Sequence, residues 1–191
     1  MHDKSLHNLT ERVKKIKAVA LDGDGVFFTG RVFIHPKDGE FLKERSLVDG
    51  QGISMLRASG IYVAFISAEK TGFIERVGEK LNNLPSVKNG DWPPVGIFTG
   101  FQGYEKVVEL GRWLESVSVK WEECAYMGDD LSDYEIFQKV GLATVPAQGE
   151  KIMKKIAHYV TTRDGGDGAI RDLANFILEA KGIDAVSLAR R

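Results

Sequence analysis

Apolar residues recur along this chain with two alternating periods. Ile16-Lys17-Ala18-Val19-Ala20, Ile61-Tyr62-Val63-Ala64-Phe65-Ile66, Val95-Gly96-Ile97-Phe98, Cys124-Ala125-Tyr126-Met127, Leu142–Val145 and His158–Thr161 are short apolar runs bounded by Gly, Pro or polar residues. Runs of this length and flanking read as buried strands. Between them the apolar positions take helical spacing, over Asp49–Ser59 (ended by Gly60), Thr71–Leu81, Tyr104–Ser116, Leu131–Lys139, Glu150–Ile156 and Ala169–Ala180. Leu6, Leu9, Val13 and Ile16 add an amphipathic helix over residues 5–15 that leads into the first strand. Strands alternating with helices of this length predict an α/β fold, a Rossmann-like doubly wound and mostly parallel sheet covered on both faces.

One segment breaks the alternation. Phe27–His35 and Glu40–Arg45 flank Pro36-Lys37-Asp38-Gly39, whose Asp-Gly pair is turn chemistry. A β-hairpin is therefore predicted at about 27–45, inserted after strand one over the edge of the sheet. Asn82–Pro94 reads as a long loop rich in Asn, Pro and Gly. With no repeat, low-complexity tract or linker, the expected organisation is one domain over 1–191 without a separate cap domain.

Composition narrows the function classes. Of 191 residues 43% are hydrophobic and 28% charged, and the formal net charge is -1. That balance gives no electrostatic reason to expect nucleic acid or a membrane surface as partner. The single cysteine, Cys124, leaves no internal disulfide and no Cys cluster for zinc, and its place in a strand suggests a buried, inert thiol. No apolar leader or stretch of membrane-spanning length is visible, so a cytoplasmic location is expected.

The candidate chemistry gathers just after the strands. Asp22-Gly23-Asp24 follows strand one, Ser67 follows Ile61–Ile66, Lys106 opens the helix after Ile97-Phe98, and Gly128-Asp129-Asp130 with Asp133 follows Cys124–Met127. In an open parallel sheet these positions share the carboxyl edge, where ligands bind. Paired carboxylates repel unless a cation or proton lies between them. Mg²⁺ takes one or two carboxylates and keeps room for waters and phosphate oxygens. A carboxylate can attack phosphorus, and a second one two residues on can protonate the leaving oxygen. A hydroxyl and an ammonium stabilise the phosphoryl charge. Singly, each residue has an ordinary reading: the Asp pairs as turns or helix caps, Ser67 as a cap, Lys106 as a surface charge. Their joint order along one α/β chain is what points to phosphoryl transfer.

That order resembles the haloacid dehalogenase superfamily of Asp-nucleophile phosphotransferases. Within it the chain is similar to the cap-less branch of 3-deoxy-D-manno-octulosonate 8-phosphate phosphatases. That branch includes nonulosonate 9-phosphate phosphatases and the C-terminal module of some CMP-sialate synthetases. The resemblance rests on Lys14–Val26, the hairpin, Asp49-Gly50-Gln51-Gly52-Ile53, Gly128–Asp133, Tyr159-Val160-Thr161 and Gly165–Arg171. It implies Asp22 as nucleophile and Mg²⁺ ligand, and Asp24 as general acid/base whose backbone carbonyl also binds the metal. It further implies Ser67 and Lys106 as phosphate-binding, Asp129 as the remaining metal ligand, and Asp130 or Asp133 as supports for the metal waters or Lys106. A homotetramer is also implied, with assembled hairpins and a neighbour's C-terminal tail closing the site.

The chain departs from that pattern in places. Gly23 stands where Val is usual, Ser67 replaces Thr, Lys106 follows a shortened approach, and Asn82–Pro94 is longer than the family's connection. Ala68-Glu69-Lys70-Thr71 replaces Gly-Arg, and Val48 occupies a place where many relatives carry Arg. Losing two Arg side chains would weaken the bidentate grip on a sugar-acid carboxylate. Glu69, with Lys80 further along the helix, resembles the substrate-contacting pair of the nonulosonate phosphatases; alternatively Glu69 and Lys70 simply begin an exposed helix. The expected function is a Mg²⁺-dependent phosphatase acting on the terminal phosphate of an acidic sugar, with the octulosonate 8-phosphate first and a nonulosonate 9-phosphate second. A phosphoacceptor receiver domain and a non-catalytic oligomerisation module are the readings from other classes. The position of the paired acids after strand one disfavours the receiver, and the intact acid and Lys set disfavours the inert module.

Overall fold

The computed structural model describes residues 2–188, and for residues 2–7 the backbone only, so the Leu6 side chain lies outside the described residues. The elements in chain order are α1 (His2–Lys14), β1 (Ala18–Leu21), β2 (Val32–His35), β3 (Gly39–Lys43), α2 (Leu47–Ala58), β4 (Tyr62–Ser67), α3 (Phe73–Asn82), α4 (Pro85–Lys88), β5 (Gly96–Thr99), α5 (Tyr104–Ser116), β6 (Cys124–Met127), α6 (Tyr134–Phe137), β7 (Leu142–Val145), α7 (Lys151–Ile156), β8 (Tyr159–Val160), α8 (Ala169–Ala180) and α9 (Ala185–Leu188). Six strands form one parallel sheet in the order β5-β4-β1-β6-β7-β8, and β2 and β3 form a separate antiparallel pair. The expected fold class is the observed one, and no separate cap is present among the described residues.

The side-chain alternation of the strands sorts the core into two layers. Val19, Leu21, Val63, Phe65, Ala125 and Met127 face a layer with Ile53 and Leu56 of α2, Ile74 of α3 and Ile170, Leu173 and Ile177 of α8. Ala18, Ala20, Ala64, Ile66, Cys124, Tyr126 and Ala143 face the other, with Leu110 and Trp113 of α5, Ile136 of α6 and Met153 of α7. Burial pushes the Cys124 thiol up to about 12, which keeps it protonated and inert. Strand ends are in register: Leu21 pairs with both Phe65 and Met127, and Ser67 with Thr99. The residues that follow β1, β4, β5 and β6 therefore emerge at one edge.

Two long-range clasps complete the frame. Asp49, buried in the first turn of α2, accepts hydrogen bonds from the Gly168 and Arg171 backbone N–H groups at 2.9 and 3.0 Å, and so caps α8 from across the fold. A Cβ at Gly52 would lie 3.0 Å from Arg171 Cα, so a side chain there would push the two helices apart. The other clasp is the fully buried Arg57, which donates to Pro93 O at 2.8 Å and to Leu81 O, with Trp92 against its guanidinium. It holds both ends of the 82–94 segment, where the expected loop carries the short helix α4.

Three boundaries differ from the sequence expectation. The hairpin strands span Val32–Lys43, not 27–45, because Val26, Phe27 and Phe28 are buried in the core and close a tight turn through bonds from Phe27 and Phe28 N–H to Gly23 O. The helix expected over 131–139 is a 3₁₀ turn at 131–133 followed by α6. Helix α3 starts at Phe73, two residues late, because Glu69 folds back to cap it: its Oε1 accepts from Phe73 N–H at 3.0 Å.

Candidate active site

Strand β1 delivers Asp22 to the carboxyl edge, and the Asp22 N–H still continues the ladder to Met127 O at 3.0 Å. Lys106, in the first turn of α5, points back over the sheet. Its buried ammonium donates to Asp22 Oδ2 and Asp133 Oδ1, both at 2.9 Å, and lies 3.5 Å from Ser132 Oγ. Both oxygens of buried Asp133 are engaged, since Oδ1 also accepts from the Tyr126 hydroxyl at 2.6 Å and Oδ2 from Asp129 N–H at 3.1 Å. Asp133 thus holds Lys106 and the Asp129 backbone in place together.

Asp22, Asp129 and Asp133 bring carboxylate oxygens within 4.8 Å of one another. With all three ionised, the one positive charge of Lys106 would leave an excess of two negative charges. Burial, reinforced by the charge of Asp133, raises the Asp22 carboxyl well above the usual range despite the pull of Lys106 and of Gly23 N–H. Burial and the charges of Asp133 and Asp130 raise Asp129 to about 7. The same carboxylates outweigh the burial that disfavours a charged Lys106, and hold its ammonium above the ordinary lysine range. A divalent, oxygen-seeking cation fits this set, because it would supply the missing two charges. Gly25 permits the arrangement: its φ is +77°, and a Cβ there would sit 2.1 Å from Asp129 Oδ2.

The other expected residues fall into three groups. Asp24 is at the site, where its Oδ2 accepts from Lys43 Nζ at 2.8 Å and its Oδ1 is buried without a partner among the described residues. Ser67 is buried beside Gly23, where a Cβ on residue 23 would come within 2.6 Å of its Oγ; the absent side chain gives the serine its place. Glu69 is buried too, so it does not begin an exposed helix: Oε1 is bonded to Thr71 Oγ1 and Phe73 N–H, while Oε2 has no partner among the described residues.

Two expected residues lie outside this cluster. Asp130 is exposed and accepts from Ser132 N–H at 2.8 Å, capping the 131–133 turn; Lys106 is held by Asp133 instead. Lys80 is exposed in the last turn of α3, seven residues past Phe73, about 10 Å further along the helix axis and toward the opposite edge of the sheet. Among the described residues no hydrogen bond or ion pair links it to the site. Val48 is exposed near the start of α2.

Sequence reasoning missed Lys43, Tyr126 and Gln148. Tyr126 reads as a core aromatic of a buried strand, and only its hydroxyl reveals the second role. Gln148 ties the Asp22–Gly25 loop to the 165 loop, donating to Gly25 O at 2.6 Å and accepting from Gly165 N–H at 2.7 Å.

The family model described as haloacid dehalogenase-like hydrolase matches residues 74–173. A 3-deoxy-D-manno-octulosonate 8-phosphate phosphatase of Salmonella typhi is 32% identical over 93% of this chain and 87% of its own length. The crystal structure of the phosphatase of that name from Yersinia pestis superposes with a TM-score of 0.79 at 29% identity, over 92% of this chain and 87% of that one. The Moraxella catarrhalis enzyme of that name, solved with magnesium, phosphate and a KDO molecule, superposes with a TM-score of 0.83 at 26% identity, over 97% and 99% of the two chains. With a matching family model over more than half its length and a relative aligned nearly end to end, the chain belongs to the haloacid dehalogenase-like hydrolases.

Proposed function

We propose that this chain is a Mg²⁺-dependent phosphatase that removes the terminal phosphate of an acidic sugar through an aspartyl phosphate on Asp22. The observation that carries the reading is the buried Asp22, held at 2.9 Å by Lys106 and grouped with Asp129 and Asp133 so that carboxyl oxygens of all three lie within 4.8 Å of one another. Mg²⁺ would be held by the carboxylates of Asp22 and Asp129 and by the Asp24 carbonyl, since both Asp133 oxygens are already engaged. When bound, the ion neutralises charge on the phosphoryl oxygens and on the two acids.

In the first half-reaction an Asp22 carboxylate oxygen attacks phosphorus, and the bond from phosphorus to the sugar oxygen breaks. The Asp24 carboxyl gives its proton to that leaving oxygen. Ser67 and Lys106 hold the remaining phosphoryl oxygens. In the second half-reaction Asp24, now a carboxylate, takes a proton from the water that attacks phosphorus. The Asp22–phosphorus bond breaks, orthophosphate departs, and both acids return to their starting states.

The relatives' names and the KDO molecule in the Moraxella structure support 3-deoxy-D-manno-octulosonate 8-phosphate as the substrate. A nine-carbon sugar-acid 9-phosphate is the second reading, supported by the buried Glu69 with its free Oε2. A homotetramer is proposed on the exposed apolar faces of the hairpin, where Phe33, Ile34, Phe41 and Leu42 are 51–71% exposed. One domain over 1–191 is proposed because both core layers pack on a single sheet.

The test is phosphate release, with Mg²⁺, from a panel holding both sugar-acid phosphates. The wild-type chain should turn over one of them, and chelation or Asp22→Asn should abolish the activity. Full activity in Asp22→Asn would sink the covalent mechanism.

A further inference from the structure

Lys43 ends strand β3, in a hairpin whose other side chains face solvent, yet its own side chain is only 1% exposed. Its Nζ lies 2.8 Å from Asp24 Oδ2, 3.1 Å from Glu40 Oε2 and 3.9 Å from Glu69 Oε1, and 5.6 Å from the ring centroids of both Phe28 and Phe73. Ordering and burying a lysine costs solvation and rotamer freedom, so the position must be compensated by what it touches. Burial disfavours the ammonium, but its bonds to Asp24 and Glu40 and the charges of Asp24 and Glu69 raise it above the ordinary lysine range. The hairpin's own backbone pairing does not call for this side chain. What needs it is Asp24.

The Asp24 side chain is 45% exposed and lies within the tight turn closed on Gly23 O, and Lys43 is the one hydrogen-bond donor to its carboxylate among the described residues. Without that bond no hydrogen bond among the described residues holds its rotamer. We propose that Lys43 is the positioning residue for Asp24, through which the seating of the hairpin on the site governs protonation of the leaving group. This rests on Asp24 being the general acid of the proposed phosphatase. An ammonium only donates, so Lys43 keeps Oδ2 as an acceptor and fixes the plane of the carboxyl. General acids contribute about 10²–10⁴-fold, and losing their alignment forfeits part of that.

The test compares two esters with Mg²⁺ in single-turnover experiments: the sugar-acid phosphate, whose alkoxide needs a proton, and p-nitrophenyl phosphate, whose phenolate leaves without one. Lys43→Met keeps the chain length and its packing on Phe28 and Phe73. It should slow the first turnover of the sugar ester at least tenfold and of the aryl ester less than threefold. Lys43→Arg should recover the sugar-ester rate to within threefold of wild type. The near-normal aryl rate is the internal control for folding. Equal losses on both esters, an effect confined to KM, or no effect would each overturn the proposal. A wild-type chain that hydrolyses neither ester would overturn the phosphatase reading, and this proposal with it.

Discussion

The clasp between Asp49 and α8 makes a prediction about stability that is independent of the chemistry. Asp49 is buried, and its two oxygens accept from Gly168 N–H and Arg171 N–H, donors at the start of a helix whose cap position, Gly168, has no side chain of its own. Asp49→Ala removes both acceptors. A buried donor left without a partner costs about 1–3 kcal/mol, and loss of a cap about 0.5–2 kcal/mol. These describe the same interaction, so they are not summed, and a water entering the vacated space recovers part of the loss. Because two donors, Gly168 N–H and Arg171 N–H, lose their acceptor at once, about 2–4 kcal/mol is the expected cost after that recovery.

At roughly 2–4 °C per kcal/mol for a chain of this size, Asp49→Ala should lower the thermal midpoint by roughly 4–16 °C. In urea the transition midpoint should fall with an unchanged slope, because the folded state stays compact. Asp49→Asn keeps one acceptor and turns an NH₂ group toward the other donor, so it should fall between alanine and wild type. A midpoint for Asp49→Ala within 2 °C of wild type, or full stability in Asp49→Asn, would refute the clasp as a stabilising contact.

Three further predictions concern the site and the charges around it. Asp133→Asn leaves Lys106 with one anchoring carboxylate fewer and should lower kcat by about 10²-fold, measured by phosphate release at saturating Mg²⁺. Gly25→Ala places a Cβ against Asp129 Oδ2 at positive φ, so it should raise the Mg²⁺ concentration needed for half-maximal activity and destabilise the fold by about 1–2 kcal/mol. Asp172 gives a pH signature. Burial opposes its charge, but bonds from Arg163 and Thr162 win and hold the carboxyl below the ordinary 3.8. Its contribution is therefore present above that value and lost as pH falls through the lower folded one. With Arg163 partly exposed the worth is about 1 kcal/mol. Urea unfolding of Asp172→Asn should show that deficit at pH 7 and a smaller one at pH 3.

What the sequence discloses and what it hides divide along a physical line. The strands were legible because a strand buried on both faces is a continuous apolar run, and the acids and Ser67 were legible because a parallel sheet places everything after its strands at one edge. Phe27-Phe28 misled because two aromatics before a turn signal look like a hairpin strand; only the return of the chain onto Gly23 puts them in the core. Lys80 lies in the last turn of α3, and a helix leaving the carboxyl edge carries its last turn away from that edge. Asp49 and Gly168 stand 119 positions apart, and nothing local marks either as half of a cap. Lys43 was the hardest to see. It sits in Glu40–Arg45, where charges among apolar residues read as a solvated hairpin edge, and at that level the reading is right for Glu40, Phe41, Leu42 and Glu44, all of them exposed. The residue is buried only because the hairpin folds back over the turn that carries Asp24. A contact between a surface insertion and a catalytic loop leaves no periodicity in either segment, so such a residue becomes visible only when the two are placed together.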